Sequence, residues 1–409
     1  MAGTGRWVRM QAVAVSGSAC EGLLLAALPL LAVSITTDPR QVSLVNVVGQ
    51  APWLLFSLLA GVVIDRFRRT TVLAWAYAVQ VAAALALAVS GSAGLLSLPV
   101  LMTVAFVITS AQVLGDGASG ALVPEIVAPE KLASANARLQ VIDRGVVQFI
   151  VPPVTGLLLS LGAGLPAWLA GAFAVAAFVL ARGMRSAPAP VSGVHPLRGI
   201  GAGLRYLVGT PLLRSVTISV ALGSFAASAS NAMFVLYATQ VLHVGAVGYG
   251  VLLACMAVGW VVSSFVVQRV VERLGYSWSM RFGQAANVVV MVLIAVLPPW
   301  PVAIGLVLVF LTATVLVWNV CSQSVRQRFT PPALLGRVLT SHRALAWGLT
   351  PLGALAGGFV AAHWTLRGVW VMAAFVQFAA TAAVWRAVSP ASFRETELAV
   401  AQLTDTATR

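Results

Sequence analysis

The sequence predicts an all-α integral membrane protein whose twelve transmembrane helices form two pseudo-symmetric six-helix bundles. The composition is the first observation: 60% of the 409 residues are hydrophobic and 9% are charged, whereas about 25% of the residues of a soluble domain are charged. Second, apolar runs of about 18 or more residues recur along the chain, and each is long enough to span a bilayer. Third, a polar connection near the middle of the chain divides these runs into two sets.

The apolar runs predict six spans in each half of the chain. Those of the first half lie near residues 10–34, 43–64, 71–90, 97–120, 139–161 and 164–182. Those of the second half lie near residues 213–240, 247–270, 279–298, 301–324, 338–361 and 366–387. We therefore expect an N-terminal bundle over 1–182, a cytoplasmic linker over 183–212, a C-terminal bundle over 213–387 and a cytoplasmic tail over 388–409.

The basic residues predict the orientation of these spans. The formal net charge of +14 could indicate a nucleic-acid partner. However, 23 of the 25 basic residues fall in, or within about five residues of, the N-terminus, the C-terminal tail and every second loop, and only Arg40 and Arg367 lie at the opposite side. Lys and Arg accumulate on the cytoplasmic side of membrane proteins. We therefore expect both termini in the cytoplasm of a bacterial cell, a multi-pass chain in the plasma membrane, and no nucleic-acid partner.

The first span could instead be a secretory signal peptide, because Arg6 and Arg9 precede an apolar run. The run is about 25 residues long, whereas a signal core has about 7 to 15 residues. We therefore expect it to be retained as the first helix. The linker carries Arg205 among apolar residues, which indicates a basic amphipathic helix on the anionic inner membrane surface.

Proline and glycine interrupt two spans at corresponding places in the two halves. The fifth span contains Gly145, Pro153 and Gly156, and the eleventh contains Pro351 and Gly353. Interrupted helices at matching positions are typical of secondary transporters, in which one half rocks against the other around a central site. The alternative is that Pro and Gly are simply common in membrane helices. We predict that these five residues form helix pivots.

Polar residues inside the spans form stripes with helical spacing. Each costs free energy in lipid unless it faces the protein interior or a water-filled cavity. The stripes predict a substrate cavity lined from both halves, although Ser and Thr can also bond to the backbone one turn earlier. The predicted cavity residues are Ser18, Asn46, Gln50, Thr109, Gln112, Ser224, Ser228, Asn231, Thr312, Asn319 and Gln323.

Glu21 lies close to the midpoint of the first span, where an ionised carboxylate is costly. A carboxyl that gains and loses a proton there can couple transport to a proton gradient. No basic residue lies in the central membrane zone to pair with it. The alternative is a hydrogen-bonded Glu that only ties the first helix to a neighbour. We predict that Glu21 is the proton-coupling residue.

The segment from Gly61 through Asp65 and Arg66 to Arg69 closes the second span. It resembles the signature loop of the major facilitator superfamily. The resemblance implies a major facilitator fold and a cytoplasmic gate in which Asp65 and Arg69 form a charge relay with an acidic residue near the inner end of the fourth helix. Asp116 matches that acid.

Further elements extend the resemblance over most of the chain, among them Leu132 to Asn136, Arg326 to Pro331 and Leu335 to Val338. They are similar to the drug-efflux branch that holds the enterobactin exporter and macrolide-efflux proteins. That resemblance implies export by proton antiport and a role in multidrug resistance. In the fifth span Pro152 replaces a Gly of the family's antiporter motif.

Other function classes find little support in the sequence. It has no phosphate-binding loop, His/Glu metal pair or Ser/His/Asp set, and its three cysteines lie in separate spans. We therefore expect no enzyme activity, no cofactor and no metal. The expected partners of a monomeric chain are a small-molecule substrate, protons and the lipid bilayer. An importer or symporter of a small solute, a channel and a non-transporting membrane sensor stay open.

Overall fold

The computed structural model describes residues 2–127, 135, 138–139, 141–143, 145–184 and 196–407. Within these ranges the regular secondary structure is entirely helical. At a few positions in them, including the predicted gate residues Gly61 and Asp65, only the backbone is described. The described chain forms two compact units, and each is considered separately.

The first unit comprises Met1–Gly193 together with Val235–Ala257. Its helices are α1 (Ala2–Ile35), α2 (Pro39–Arg66), α3 (Arg69–Ser92), α4 (Leu98–Ile126), a π-helix (Gly145–Ile150) that continues into α5 (Val151–Leu161), and α6 (Leu165–Arg182). Local sequence explains where α2 begins. Asp38 caps it by accepting from the Arg40 backbone N–H at 2.9 Å, and Pro39, whose fixed φ suits the first turn, opens it.

The second unit comprises Val194–Phe234 together with Val258–Arg409. The helices of the C-terminal half are α7 (Pro196–Gly209), α8 (Pro211–Leu236) with a π-helical end (Tyr237–Val241), α9 (Ala246–Val296), α10 (Pro301–Arg328), α11 (Pro332–Gly348), α12 (Thr350–His363), α13 (Leu366–Trp385) and α14 (Pro390–Ala407). The basic linker segment is therefore helical, as predicted. The predicted boundaries of the two bundles and of the linker stay a prediction.

The helices correspond to the twelve predicted spans. Ten helical segments of the described chain are long and apolar enough to cross a membrane. One of them, α9, has 51 residues and contains two predicted spans, which meet at Gly275, where φ is +72° and ψ is 167°. That left-handed backbone suits glycine and interrupts the helix. The remaining predicted span corresponds to α2, whose 28 residues extend about 42 Å at 1.5 Å per residue.

Small residues allow the helices of the first unit to pack closely. Helix α6 turns Ala167, Ala170, Ala174, Ala177 and Ala181 inward, and it packs against both α1 and α3. Leucines of α1, α3 and α4 fill the space between these helices.

Large apolar side chains are exposed in the second unit, among them Phe310 and Phe375, which are 64% and 72% exposed. Such a surface requires lipid as its solvent, because soluble proteins rarely expose apolar patches of this extent.

Candidate functional site

Glu21 and Ser18 lie on the same face of α1 and tie this helix to two others. The Gln112 side chain on α4 donates a hydrogen bond from Nε2 to Oε1 of Glu21. The Ser18 hydroxyl donates to Oδ1 of Asp143 at 3.1 Å, and Asp143 lies at the start of the Val141–Leu161 helical segment. Both predicted residues of α1 therefore contact polar side chains from distant parts of the sequence.

Three carboxyl groups form an acidic cluster in the first unit: Glu21, Asp116 and Asp143. Asp116 and Asp143 both interact electrostatically with Glu21 and also with each other. Tyr77 of α3 interacts electrostatically with Glu21 and Asp116. Gly17 makes room for the Tyr77 ring, because a Cβ at position 17 would overlap the phenol oxygen. The acidic cluster is thus built by α1, α3, α4 and the segment that contains Asp143.

Asp143 and Tyr77 are not among the site residues predicted from the sequence. Asp143 falls inside the predicted span 139–161, so an acidic residue within an apolar run was the available signal. It lies only four residues into that span and precedes Arg144, a pattern typical of a helix end facing water. Tyr77 is a common residue of membrane helices and gave no signal of its own. Helix packing, which places both near Glu21, identifies them as candidate site residues.

Two of the predicted gate residues, Arg69 and Asp116, have described interactions with residues outside the predicted relay. Arg69 forms a salt bridge with Glu125, and its Nη1 also donates to the Ala121 carbonyl at 2.9 Å. Glu125 lies nine residues beyond Asp116 on α4, which corresponds to about 13 Å along the helix. The described contacts of Arg69 thus involve Glu125, and those of Asp116 involve the acidic cluster. Helix α4 runs past residue 120, where the predicted span ended, and so brings Glu125 beside Arg69.

No described contact of the other predicted gate residues, Gly61, Asp65 and Arg66, tests the charge relay. The Arg66 side chain is exposed at the end of α2. Only the backbone is described at Gly61 and Asp65, so the charge relay stays a prediction.

The predicted cavity residues of the first unit are partly engaged in local bonds. Asn46 donates from Nδ2 to the Val42 carbonyl at 3.4 Å, one turn earlier on α2. Thr109 is buried, whereas Gln50 and Gln112 are half-buried. Gln112 and Ser18 are the members of this set that bond to the acidic cluster.

In the second unit, two predicted cavity residues serve helix packing. The Ser228 hydroxyl donates to the Thr350 carbonyl at 2.7 Å and joins α8 to α12. The Thr312 hydroxyl bonds to the Leu308 carbonyl of its own helix at 3.0 Å and lies against Gly259. Ser224 is half-buried. The side chains that stay exposed are Asn231, Asn319 and Gln323.

The predicted pivots coincide with breaks in helical geometry and with close backbone contacts. Gly145 opens the π-helical turn, which gives way to an α-helix at the two prolines Pro152 and Pro153. Proline has no N–H to donate, so the hydrogen-bond pattern changes there. A Cβ at Gly156 would lie 2.9 Å from the Ala246 carbonyl carbon. Only glycine permits this approach of α5 to the start of α9.

The second unit repeats this arrangement. Leu349 separates α11 from α12, and Pro351 follows at the start of α12. A Cβ at Gly353 would lie 2.9 Å from the Phe225 carbonyl carbon, and one at Gly357 would lie 2.5 Å from the Ala229 oxygen. Helix α12 therefore packs on α8 with backbone against backbone. Small residues that let two helix backbones approach closely are typical of helix pairs in membrane proteins.

A buried hydrogen-bond chain links α8, α9 and α13 in the second unit. Gln377 donates from Nε2 to Oε1 of Gln284, and Gln284 donates from its own Nε2 to the Ser219 hydroxyl at 2.6 Å. The three residues are 4%, 2% and 1% exposed, respectively. The two glutamines therefore bond to each other rather than to lipid or cavity water.

Among the described residues no group of three or more His, Cys, Asp or Glu side chains could hold a metal ion.

Similarity to known proteins extends over almost the whole chain. A family model described as transmembrane secretion effector matches residues 12–404. An uncharacterized MFS-type transporter of Sinorhizobium fredii is 26% identical over 340 residues, which cover 79% of this chain and 80% of that protein. The enterobactin exporter EntS of Shigella boydii is 28% identical over 233 residues, which cover 55% of this chain and 54% of the exporter.

Solved structures share the fold at lower identity. A crystal structure of a bacterial homologue of the iron transporter ferroportin, in an inward-facing state, matches with a TM-score of 0.78 at 17% identity. The match covers 94% of this chain and 99% of that one. The predicted all-α architecture is thereby confirmed.

Proposed function

This chain belongs to the transmembrane secretion effector family of major facilitator transporters, and we propose that it exports a small amphipathic molecule in exchange for protons, by alternating access. Its structure has the major facilitator fold. The family description and the similarity to an enterobactin exporter favour export. The observation that supports proton exchange is the acidic cluster of Glu21, Asp116 and Asp143, which all belong to the first unit.

The acidic cluster has the chemistry that proton coupling requires. Three carboxylates within electrostatic range of one another repel when all are ionised, and the repulsion is large where the effective dielectric constant is low. Uptake of a proton relieves that repulsion. A cationic group on the substrate would relieve it as well, so a proton and a cationic substrate would compete for the cluster. Competition at one site is sufficient for exchange, and the Gln112 bond would hold Glu21 in place in its ionised form.

The substrate class follows from the same residues and from the aromatic side chains. Aromatic faces bind apolar rings and cations, and the predicted spans contain Trp53, Phe225, Tyr237 and Trp318. Tyr237 and Trp318 are buried in helix packing, whereas Trp53 and Phe225 are half-buried. We propose that Trp53, which belongs to the same unit as the acidic cluster, provides apolar contact area for the substrate. A drug or a secondary metabolite with one cationic group fits this description.

The test is transport into inverted membrane vesicles across a panel of lipophilic dyes and antibiotics. Three proteins are compared: wild type, Glu21→Gln, and Glu272→Gln, in which an exposed carboxylate of α9 is neutralised as a matched control. We expect an uncoupler to abolish uptake by the wild type and by Glu272→Gln. We expect Glu21→Gln to bind substrate and to show no response to the pH gradient.

The outcomes separate the competing functions. Normal pH-dependent transport by Glu21→Gln would contradict the coupling assignment and leave the transporter in place. Gradient-dependent flux in the opposite direction would indicate an importer or symporter. Unsaturable flux would indicate a channel, and no flux of any compound would favour a sensor.

The proposed location is the bacterial plasma membrane, with both termini in the cytoplasm and the chain acting as a monomer. The distribution of basic residues supports this orientation. Fusion of a reporter that is active only in the cytoplasm to the C-terminus would test it.

A further inference from the structure

A buried guanidinium group lies in the last turn of α10. Arg326 is 8% exposed, and its Nη1 donates to the Ser322 hydroxyl at 2.5 Å. Its Nε is buried and has no hydrogen-bond partner among the described residues. A guanidinium carries five N–H donors, and a buried charge that lacks a counter-charge is strongly unfavourable. The side chain is therefore arranged for a partner that the described protein residues do not supply.

Further basic and hydroxyl groups lie around Arg326. His342 of α11 is 5% exposed, and its Nδ1 lies 3.0 Å from the Thr217 hydroxyl. Arg326 and Arg343 each interact electrostatically with His342 and with each other. The hydroxyl of Thr330, one turn after Arg326, is also buried without a partner among the described residues. We call Arg326, His342 and Arg343 the basic cluster.

Acidic residues are missing from this part of the sequence. The chain has no Asp or Glu between Glu272 and Glu395, a stretch that includes α10, α11, α12 and α13. Glu272 accepts a hydrogen bond from Gln268, and Glu397 forms a salt bridge with Arg328. The only other charged residue between α10 and α12 is basic, at position 337, so it adds no negative charge. The second unit thus offers the basic cluster no counter-charge among its described contacts.

The dipole of α10 does not account for this arrangement. Cations near a helix C-terminus are stabilising, and Arg326 and Arg328 both lie in the last turn. Arg328 provides that stabilisation while exposed and paired with Glu397. A cation can stabilise a helix C-terminus while it stays in solvent. Burying the guanidinium of Arg326 adds a desolvation cost, so stabilisation of the helix end does not explain its burial.

We propose that the basic cluster binds an oxyanion, namely a phosphate or carboxylate group. The planar guanidinium of Arg326 can donate to two oxygens at once, and the Thr330 hydroxyl can supply a neutral donor. The predicted topology places this end of α10 at the cytoplasmic face. The oxyanion can therefore come from two sources, the phosphate of an anionic lipid in the inner leaflet or a free anion from the cytoplasm. This site is independent of the direction of transport and of the acidic cluster.

The experiment measures the thermal unfolding midpoint of the purified full-length chain in nanodiscs. Nanodiscs of phosphatidylcholine are compared with nanodiscs containing phosphatidylglycerol, and inorganic phosphate is added to the former with sodium chloride at equal ionic strength as control. We expect at least one anion to raise the wild-type midpoint by about 3 °C or more. A rise with phosphatidylglycerol alone identifies a lipid site, and a rise with phosphate identifies a site for a free oxyanion.

Three variants test whether the shift depends on the basic cluster. Arg326→Met should lose the shift, and Arg326→Lys, which keeps the charge without the planar fork, should show a smaller one. Arg328→Gln, two residues away and exposed, should keep it. In phosphatidylcholine without phosphate, Arg326→Met should be at least as stable as wild type, because an unpaired buried charge is removed. No wild-type shift with either anion, or equal shifts in Arg326→Met and Arg328→Gln, would overturn the proposal.

Discussion

The hydrogen-bond chain of Ser219, Gln284 and Gln377 predicts a specific coupling between two distant helices. Replacing Gln284 with Leu removes two hydrogen bonds and leaves the Gln377 amide and the Ser219 hydroxyl buried without partners. Hydrogen bonds between membrane helices contribute about 0.6 kcal/mol on average and up to about 1.7. An unsatisfied buried group costs about 1 to 3 kcal/mol. We therefore expect Gln284→Leu to lower the free energy of unfolding by about 2 kcal/mol.

A double-mutant cycle makes this estimate testable. Gln377→Leu removes one of the two bonds and should cost about 1 kcal/mol, because Ser219 keeps its partner. The double variant should cost about 2 kcal/mol rather than 3, since the bond between the two glutamines is lost only once. The assay is reversible unfolding of the purified protein in mixed micelles with increasing sodium dodecyl sulfate.

The control and the refuting results are also defined by the structure. Gln268 is an exposed glutamine of α9 that bonds to Glu272 one turn later. Gln268→Leu should change the free energy of unfolding by less than about 0.5 kcal/mol. If Gln284→Leu costs no more than this control, or if the two glutamine substitutions are additive, the buried chain does not connect the helices as described.

Two further predictions concern the helix contacts and the gate. Gly357→Ala should lower the unfolding midpoint and slow transport, because the added Cβ meets backbone on α8; Gly120→Ala, where a Cβ meets nothing within 4 Å, should be neutral or slightly stabilising. Equal midpoints for the two variants would contradict the close packing. Arg69→Gln should reduce transport about tenfold or more, since it removes the salt bridge between Arg69 and the half-buried Glu125 carboxylate. Arg68→Gln, at an exposed position, should transport normally. Exchanging the charges of Arg69 and Glu125 should restore part of the activity. If Arg68→Gln is as impaired as Arg69→Gln and the charge exchange restores nothing, the proposed role of this salt bridge is refuted.

Several features could be predicted from the sequence because they depend only on which residues lie near one another along the chain. The length of an apolar run determines whether a helix can cross the bilayer, so all twelve spans and the helical linker segment were predictable. Proline removes a backbone donor wherever it occurs, so the breaks near Pro153 and Pro351 could be anticipated. Glu21 was identifiable as a candidate because an acid at the bilayer centre is rare.

Other features depended on tertiary structure. Asp143 reaches the acidic cluster through packing of its helix beside α1, and Glu125 rather than Asp116 reaches Arg69 because α4 extends further than its apolar run. Gln284 and Gln377 are 93 residues apart in the sequence, and they form a hydrogen bond in the folded chain. Hydropathy constrains where a helix begins and ends along the membrane normal, and it leaves open the rotation of the helix about its axis and the choice of its neighbours. Those two variables are set by side-chain packing and small-residue contacts between helices, so the partners of each polar group emerged only from the folded chain.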